Sequence, residues 1–168
     1  IAEQGNAPLI HMTLTQFADT TASEAPAPGG GSISAYAGAL GVALATMVAN
    51  LSAHKRGWDN RWEEFSMHAE KGLALQNQLM ALVDADTQAF DAIMAAYGMP
   101  KGTEDQKAKR HQAIQDATRN AIDIPMQVAQ VALVGLSLAA AVASDGPPTG
   151  GPDAGGGGYG PASKPATG

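Results

Sequence analysis

Two long stretches of this 168-residue chain, residues 25–53 and 124–144, contain no charged side chain. Each is long enough to cross a bilayer as a helix, but both are interrupted by Gly, Ser and Asn or Gln, and neither is dominated by the large apolar residues of strong spans. Ala occupies 34 positions of the chain, and an Ala-rich face gains most by close backbone approach. We therefore interpret both stretches as buried helices and expect no membrane association.

The charge balance and the lack of Cys exclude several classes of protein. A net charge of −6 and a pI near 5.0 oppose a nucleic-acid-binding surface, which is normally basic. Zero Cys removes disulfides, thiolate zinc sites and Cys nucleophiles, and is compatible with a reducing, cytoplasmic location. No His pair has metal-ligand spacing, so we predict no metal site.

Helix-start and helix-stop signals predict four helical segments. Thr13 or Thr15 caps a short helix that ends near Thr21, and Ser32 caps a helix that runs to about Ala53. We expect the inner side of the first helix to consist of Leu14, Phe17 and Ala18. The second is apolar all round, as expected for a central helix.

The second half of the chain predicts two longer helical segments. One begins near Asp59 and ends near Tyr97, and its apolar stripe consists of Leu79, Val83, Asp86, Phe90, Ile93 and Tyr97. The last segment follows Thr103 and continues past Pro125, which should kink or break it, so that 126–143 forms a second buried piece. The predicted class is all-α, a bundle of long Ala-rich helices around a buried central helix, dimeric or higher.

The chain divides into three parts by composition. Residues 1–12 look like a linker from an upstream domain, since the chain starts at Ile1, and residues 13–145 form the helical domain. Residues 146–168 contain nine of the 20 Gly and five of the 10 Pro, which makes them a Gly/Pro-rich tail of different material.

The loop Pro28-Gly29-Gly30-Gly31-Ser32 is the most informative local feature. Three glycines before a helix let a ligand approach the backbone and direct free N–H groups at an anion. The loop is neither a P-loop nor a dinucleotide fingerprint. A tightly packed helix entry explains the glycines equally well.

Two acidic residues of the third segment are candidates for proton transfer. Asp86 falls on the apolar stripe, where a carboxylate is costly unless it is paired or used. Its alternative role is an ion pair with Lys or Arg. Asp84 lies about 200° around the helix from Asp86, so the two cannot share a proton on one face. A solvated face is the simpler interpretation of Asp84.

Three basic residues are candidates for binding an acidic ligand. His54 and Lys55 end the buried helix, where they face a cleft or simply stabilise the helix C-terminus. Lys101 follows Pro100 in the next turn, and a solvated basic surface is its ordinary alternative.

Several motifs together resemble the cyclodeaminase/cyclohydrolase family, over roughly residues 12–130. They are Phe17-Ala18-Asp19-Thr20-Thr21-Ala22-Ser23-Glu24-Ala25-Pro26-Ala27-Pro28-Gly29-Gly30-Gly31-Ser32, Ala37-Gly38-Ala39-Leu40-Gly41, Met47-Val48-Ala49-Asn50-Leu51, Leu82-Val83-Asp84-Ala85-Asp86-Thr87, Ala89-Phe90, Met99-Pro100-Lys101 and Ile124-Pro125. The family continues with an Asp-Ala-Gly-Val-Gly-type segment that opens another helix. Here Asp153-Ala154-Gly155 matches, but the glycines and prolines that follow do not support a helix.

The resemblance implies a folate reaction, in which 5-formiminotetrahydrofolate closes to 5,10-methenyltetrahydrofolate and releases ammonia. Asp86 or Asp84 would transfer protons, while the 28–32 loop with His54, Lys55 and Lys101 would bind a reduced, possibly polyglutamylated folate. It also implies a fused formiminotransferase domain, a role in histidine degradation and no cofactor beyond the tetrahydrofolate substrate. The Ala-rich composition with few aromatic residues separately favours self-association. The alternatives are a methenyltetrahydrofolate cyclohydrolase and a non-catalytic helical oligomerisation module.

Overall fold

A computed structural model describes residues 8–146 of the chain. It contains four α-helices, which are α1 (Leu14–Thr21), α2 (Gly30–Ala53), α3 (Trp62–Gly98) and α4 (Glu104–Asp145). Short 3₁₀ turns, Leu9–His11 and Asp59–Arg61, precede α1 and α3. The three long helices pack against one another, and the described part of the chain contains no strand. The predicted all-α class is therefore confirmed.

Two helix starts follow directly from the local sequence. Thr13 caps α1 and Thr103 caps α4, each by accepting a hydrogen bond from the backbone N–H three residues on, at 3.2 Å. In both cases that residue is a Gln, whose side-chain oxygen accepts a hydrogen bond from the backbone N–H of the Thr. This reciprocal arrangement satisfies two otherwise free donors, which explains why both starts were predictable.

The prediction that Ser32 caps α2 is wrong, because the helix and its cap position begin three residues earlier. Gly29 occupies the cap position and has no side chain to offer. Ser32 lies inside the first turn, fully buried, and its hydroxyl lies 2.8 Å from the carbonyl oxygen of Val83 on α3. The Ser side chain therefore joins two helices, and the missing cap is supplied by another residue described below.

Pro125 does not break α4, which continues through it to Asp145. A proline inside a helix removes one hydrogen bond and typically costs about 3 kcal/mol. Ile124 and Val128 are buried on either side of Pro125, and their packing against the other helices offsets that loss. The predicted separate segment 126–143 is thus the second half of one helix.

The helices approach one another closely at small residues, as the composition predicted. A Cβ added at Gly135 of α4 would lie 2.5 Å from Val42 Cγ2 on α2, so a larger residue would force the helices apart. Ala35, Ala39 and Ala49 of α2 are almost fully buried in the same core.

The expectation that α2 is buried on all sides is wrong for the chain as described. Its outer side carries Leu40, Leu44, Met47 and Leu51, spaced four, three and four residues apart and each between 50% and 67% exposed. By length and composition alone, both α2 and α4 could span a membrane, and 33% and 22% of their most apolar windows are buried within the chain. The core helix of a soluble protein passes the same test, so length and composition do not identify α2 or α4 as a membrane span.

The predicted apolar stripe of α3 is buried only in its first half. Leu79 and Val83 lie in the core, whereas Phe90 and Tyr97 are exposed. Ile93 is half-buried. The stripe therefore leaves the core at about the position of Asp86, and this change creates space beside the helix.

The N-terminal part of the described chain packs on α3 and α2. Leu9 is buried, and Phe17 of α1 stacks at a tilt on Tyr36 of α2, with 5.3 Å between ring centroids. The predicted inner side of α1 is wrong for Leu14, which is 73% exposed, and for Ala18. Most of the predicted linker and nearly all of the predicted tail lie outside the described residues.

Candidate active site

A cavity of about 240 Å³ opens where the glycine loop meets the second half of α3. The loop contributes Gly29, Gly30 and Gly31, and α3 contributes Asp86 and Thr87. The remaining lining is mainly apolar, from Pro26, Ala27, Phe90, Ile93 and Ala121. The structure thus brings together the loop and the acidic residue that sequence analysis selected independently.

Asp86 supplies the cap that α2 lacks. Its Oδ2 accepts a hydrogen bond from the Ser32 backbone N–H at 2.9 Å, and the Ser32 hydroxyl lies 3.1 Å from the same oxygen. A carboxylate at a helix N-terminus is stabilised by the free N–H groups and the helix dipole. Both contacts end on Oδ2, and within the described residues Oδ1 accepts no hydrogen bond.

The close approach of Asp86 explains why position 31 is a glycine, but it does not explain the glycine at position 30. A Cβ at Gly31 would overlap the Asp86 carboxylate, whereas a Cβ at Gly30 would meet no atom within 4 Å. The N-terminus of α2 already receives the protein's own carboxylate. A further anion at the same N–H groups would therefore be repelled by Asp86.

Asp84 lies on a different side of α3 and does not line the cavity. Its Oδ1 accepts a hydrogen bond from the Leu9 backbone N–H at 2.6 Å, across 75 positions of the chain. As the helical geometry predicted, the two carboxylates do not form a pair. In the described chain Asp84 holds the N-terminal segment on α3, and Asp86 faces the cavity.

None of the three basic candidates lines this cavity. His54 and Lys55 are exposed at the far end of α2, about 36 Å along the helix from the glycine loop. The Lys55 ammonium lies 5.8 Å from the ring centroid of Trp58, which gives it a local partner. Lys101 is exposed between α3 and α4. A ligand role for all three stays a prediction.

Thr87 is a cavity residue that the sequence analysis did not select. Its Oγ1 is buried and has no hydrogen-bond partner among residues 8–146. A threonine within a helix usually donates to the carbonyl four residues earlier, which here belongs to Val83. That carbonyl oxygen lies 2.8 Å from the Ser32 hydroxyl. In the sequence, Thr87 is marked by its position beside Asp86 and by its place in the motif Leu82-Val83-Asp84-Ala85-Asp86-Thr87.

A second group of polar residues lies at the opposite end of the bundle. Donor atoms of Glu64, His68 and Asp145 lie within 4.8 Å of one another, a spacing that suits a metal ion. The Arg61 guanidinium, however, forms an ion pair with Glu64 at 2.9 Å, and also donates to the Asp145 backbone carbonyl. A cation there would have to compete with Arg61, so the absence of a metal stays our prediction.

These features define an all-helical domain in which the glycine loop and the Asp86 carboxylate of α3 line one cavity. The family model described as Formiminotransferase-cyclodeaminase matches residues 13–159. The chain belongs to this family, and the resemblance found in its motifs is confirmed. The match extends beyond the described residues and includes Asp153, about whose surroundings the structure gives no information.

Relatives of known activity belong to two enzyme types. Over 134 residues the chain is 40% identical to the methenyltetrahydrofolate cyclohydrolase of Methylorubrum extorquens, which corresponds to 80% of this chain and 64% of the relative. Over 122 residues it is 34% identical to the formimidoyltransferase-cyclodeaminase of Rattus norvegicus, covering 73% of this chain and 23% of that protein. The chain therefore spans less than two thirds of either relative.

A solved structure has the same fold. The crystal structure of formiminotetrahydrofolate cyclodeaminase from Thermotoga maritima superposes with a TM-score of 0.58 and 27% sequence identity. The superposition covers 79% of this chain and 73% of that chain. The relatives are thus folate-processing enzymes, and the family points to cyclodeaminase or cyclohydrolase activity.

Proposed function

We propose that this domain is a formimidoyltetrahydrofolate cyclodeaminase, which closes 5-formiminotetrahydrofolate to 5,10-methenyltetrahydrofolate and releases ammonia. The observation that carries the proposal is the Asp86 carboxylate at the cavity beside the glycine loop. Membership of the family and the cyclodeaminases among its relatives support it.

The reaction requires two proton transfers around one carbon. N10 attacks the carbon of the protonated amidine, a C–N10 bond forms, and N10 gives up its proton. The departing nitrogen gains a proton, its bond to the carbon breaks, and ammonia leaves. Since Oδ2 of Asp86 is held by Ser32, Oδ1 is the oxygen that we assign to carry the proton between the two nitrogens.

The same carboxylate favours the product, because the methenyl bridge carries a positive charge that a nearby anion stabilises. The apolar side of the cavity, including Phe90 and Ile93, limits the access of water to the bridge. No oxidation state changes during the reaction, so we propose no cofactor beyond the tetrahydrofolate substrate. Asp84 is the less favoured acid, since it lies outside the cavity.

A second candidate is methenyltetrahydrofolate cyclohydrolase, favoured by the 40% identity to the Methylorubrum enzyme. In that reaction water adds to the methenyl carbon and the carboxylate removes one proton from the water. The other proton goes to N5 as the C–N5 bond breaks, which leaves a formyl group on N10. The two candidates share methenyltetrahydrofolate, as the product of one and the substrate of the other, and the same acid.

We also propose that the chain self-associates through the outer side of α2. The apolar residues Leu40, Leu44, Met47 and Leu51 form one continuous stripe exposed to water, and a second copy of the chain would cover it. We further propose that the domain is fused to a formiminotransferase domain and acts on a polyglutamylated substrate. We place this activity in histidine degradation and in the cytoplasm.

One assay tests these alternatives. Purified protein is mixed with 5-formiminotetrahydrofolate, and the absorbance of methenyltetrahydrofolate and the release of ammonia are followed together. Appearance of both products supports the cyclodeaminase. Hydrolysis of added methenyltetrahydrofolate without ammonia release from the formimino compound supports the cyclohydrolase, and failure to bind either folate favours a non-catalytic assembly module.

A further inference from the structure

Two polar atoms of cavity-lining residues take no part in the proposed proton transfer. One is the Thr87 hydroxyl, which lies buried without a partner among the described residues. A buried hydroxyl without a hydrogen bond typically costs about 1–3 kcal/mol. Such a group is retained at a cost in stability, and sites that bind ligands are where that cost is commonly found.

A second polar atom follows from the proline inside α4. Pro125 has no N–H, so the carbonyl oxygen of Ala121, four residues earlier, lacks its usual helical donor. Ala121 is one of the residues that line the cavity. The proline therefore removes the usual helical donor of a backbone acceptor in a cavity-lining residue.

We propose that the Thr87 hydroxyl and the Ala121 carbonyl recognise N–H groups of the bound folate, an inference that rests on the proposed function. Both come from cavity-lining residues, on two different helices. A carbonyl only accepts hydrogen bonds, and a hydroxyl can also accept. The pair thus selects a ligand that donates, as the ring nitrogens and amino group of a folate do.

Binding requires the Thr87 hydroxyl to become accessible. Its Oγ1 exposes almost no surface in the free protein, while Thr in a helix has two favourable χ1 rotamers. Rotation about χ1 turns the hydroxyl towards the cavity when a donor enters. The ligand then supplies the hydrogen bond that the protein does not.

Substitution of these two residues should separate stability from affinity. Thr87→Val keeps the shape of the side chain and removes the unpartnered hydroxyl, so the melting temperature should stay the same or rise. Affinity for 5-formyltetrahydrofolate, a stable probe measured by titration calorimetry, should fall about five- to tenfold, as expected for one lost hydrogen bond. Thr87→Ser keeps the hydroxyl and should retain most of the affinity.

Pro125→Ala should likewise raise the melting temperature and lower the affinity for the probe. Ala restores the N–H that the Ala121 carbonyl lacks and removes a helix breaker, so the melting temperature should rise. The affinity for the probe should fall, because the carbonyl is now occupied within the helix. In kinetic measurements both variants should raise KM more than they lower kcat.

Two controls match these substitutions outside the cavity. Thr46→Val removes a hydroxyl that donates to the Val42 carbonyl at 2.9 Å, so it should not raise stability and should leave affinity unchanged. Asn77→Ala on an exposed part of α3 improves helix propensity, and should raise the melting temperature without weakening binding.

Three results would overturn the inference. A lower melting temperature with unchanged affinity in Thr87→Val would show that the hydroxyl already has a partner, such as a buried water. Equal losses in Thr87→Val and Thr87→Ser would assign the effect to packing of the methyl group. If Thr87→Val and Pro125→Ala bind the probe as tightly as the wild type does, only this inference is refuted. If the wild type binds no folate, the proposed function is refuted as well.

Discussion

The two ends of the helical bundle use polar side chains in opposite ways. At the far end, Arg61 donates to both carboxylate oxygens of Glu64, at 2.9 and 3.0 Å, and to the Asp145 carbonyl at 2.8 Å. Its guanidinium also lies over the rings of Trp58 and Phe65. At the loop end, one carboxylate oxygen of Asp86 and the hydroxyl of Thr87 have no hydrogen-bond partner among the described residues.

The difference indicates which end stabilises the fold and which end is available for chemistry. Where a guanidinium donates three hydrogen bonds within the protein, it fixes the helices in place and has little left to offer a ligand. Where a carboxylate is held by one oxygen only, its orientation is set while the other oxygen remains available. We therefore expect substitutions at the two ends to affect activity and stability separately.

The largest effect on activity is expected for Asp86→Asn. Asn keeps an oxygen that can accept the hydrogen bond from the Ser32 N–H but cannot take up a proton. Loss of a general acid–base group typically lowers the rate by about 100- to 10,000-fold. The rate of methenyltetrahydrofolate formation should fall by that order, while circular dichroism should show unchanged helicity.

Asp86→Ala provides the matched comparison, since it removes the cap of α2 together with the carboxylate. It should reduce the rate to a similar extent, and it should also lower the free energy of unfolding by about 1 kcal/mol. Near-normal turnover in Asp86→Asn would limit this residue to a structural role and would make the two ends of the bundle alike.

The glycine loop provides the second test, through two neighbouring positions. Gly31→Ala places a methyl group against the Asp86 carboxylate, and Gly30→Ala places one in open space. Overpacking typically costs about 1–3 kcal/mol, and displacement of the carboxylate should also reduce activity at least tenfold, as an estimate from the cost of misplaced catalytic groups. Thermal unfolding and initial rates measure both effects.

Gly30→Ala should be neutral or slightly stabilising, because Ala is the better helix former. If its activity falls as far as that of Gly31→Ala, the loop must contact the ligand through its backbone at both positions. If both variants behave as wild type, the contact between Gly31 and Asp86 does not position the acid.

Much of the fold could be predicted from the sequence because its signals are local. The two Thr-x-x-Gln starts of α1 and α4 and the end of α3 at Gly98 depend on residues within a few positions of each other. The start of α2 could not be placed in this way, because its cap is Asp86, which comes 54 positions after Ser32. Pro125 was misjudged for the same reason, since tertiary packing decides whether a helix continues through proline.

The candidate site was predictable in its residue types and not in its assembly. Asp86 was selected because a carboxylate on an apolar stripe is unusual, and the structure places it at the cavity. Thr87 and Ala121 carry no such signal, because an unpartnered hydroxyl and the lining of a cavity become visible only when the helices are packed. His54 and Lys55 were chosen for charge alone, and in one chain they lie far along α2 from the loop.

The third prediction concerns the far end of the bundle. Arg61→Met keeps an apolar side chain beside Trp58 and Phe65 but removes the hydrogen bonds to Glu64 and Asp145. We expect the free energy of unfolding to fall by about 1–2 kcal/mol, since hydrogen bonds to a charged group are among the stronger ones. Urea unfolding measures the change.

Activity of Arg61→Met at a temperature below its unfolding transition should stay within about twofold of the wild type, the effect expected for a residue that makes no contact with the cavity. A large loss of activity in the folded variant would connect the far end to the reaction and would remove the distinction between the two ends.

The smallest effect on stability is expected for Asp84→Asn, which tests whether the second carboxylate takes part in the reaction. Asn can still accept the hydrogen bond from the Leu9 N–H, so we expect a loss of less than about 1 kcal/mol in stability, the difference between a charged and a neutral acceptor. Because Asp84 lies outside the cavity, the rate should change by less than about threefold, which corresponds to less than 1 kcal/mol in activation free energy. A rate loss as large as that of Asp86→Asn would show that the N-terminal segment must move away from Asp84 during turnover, since only then could its carboxylate reach a substrate.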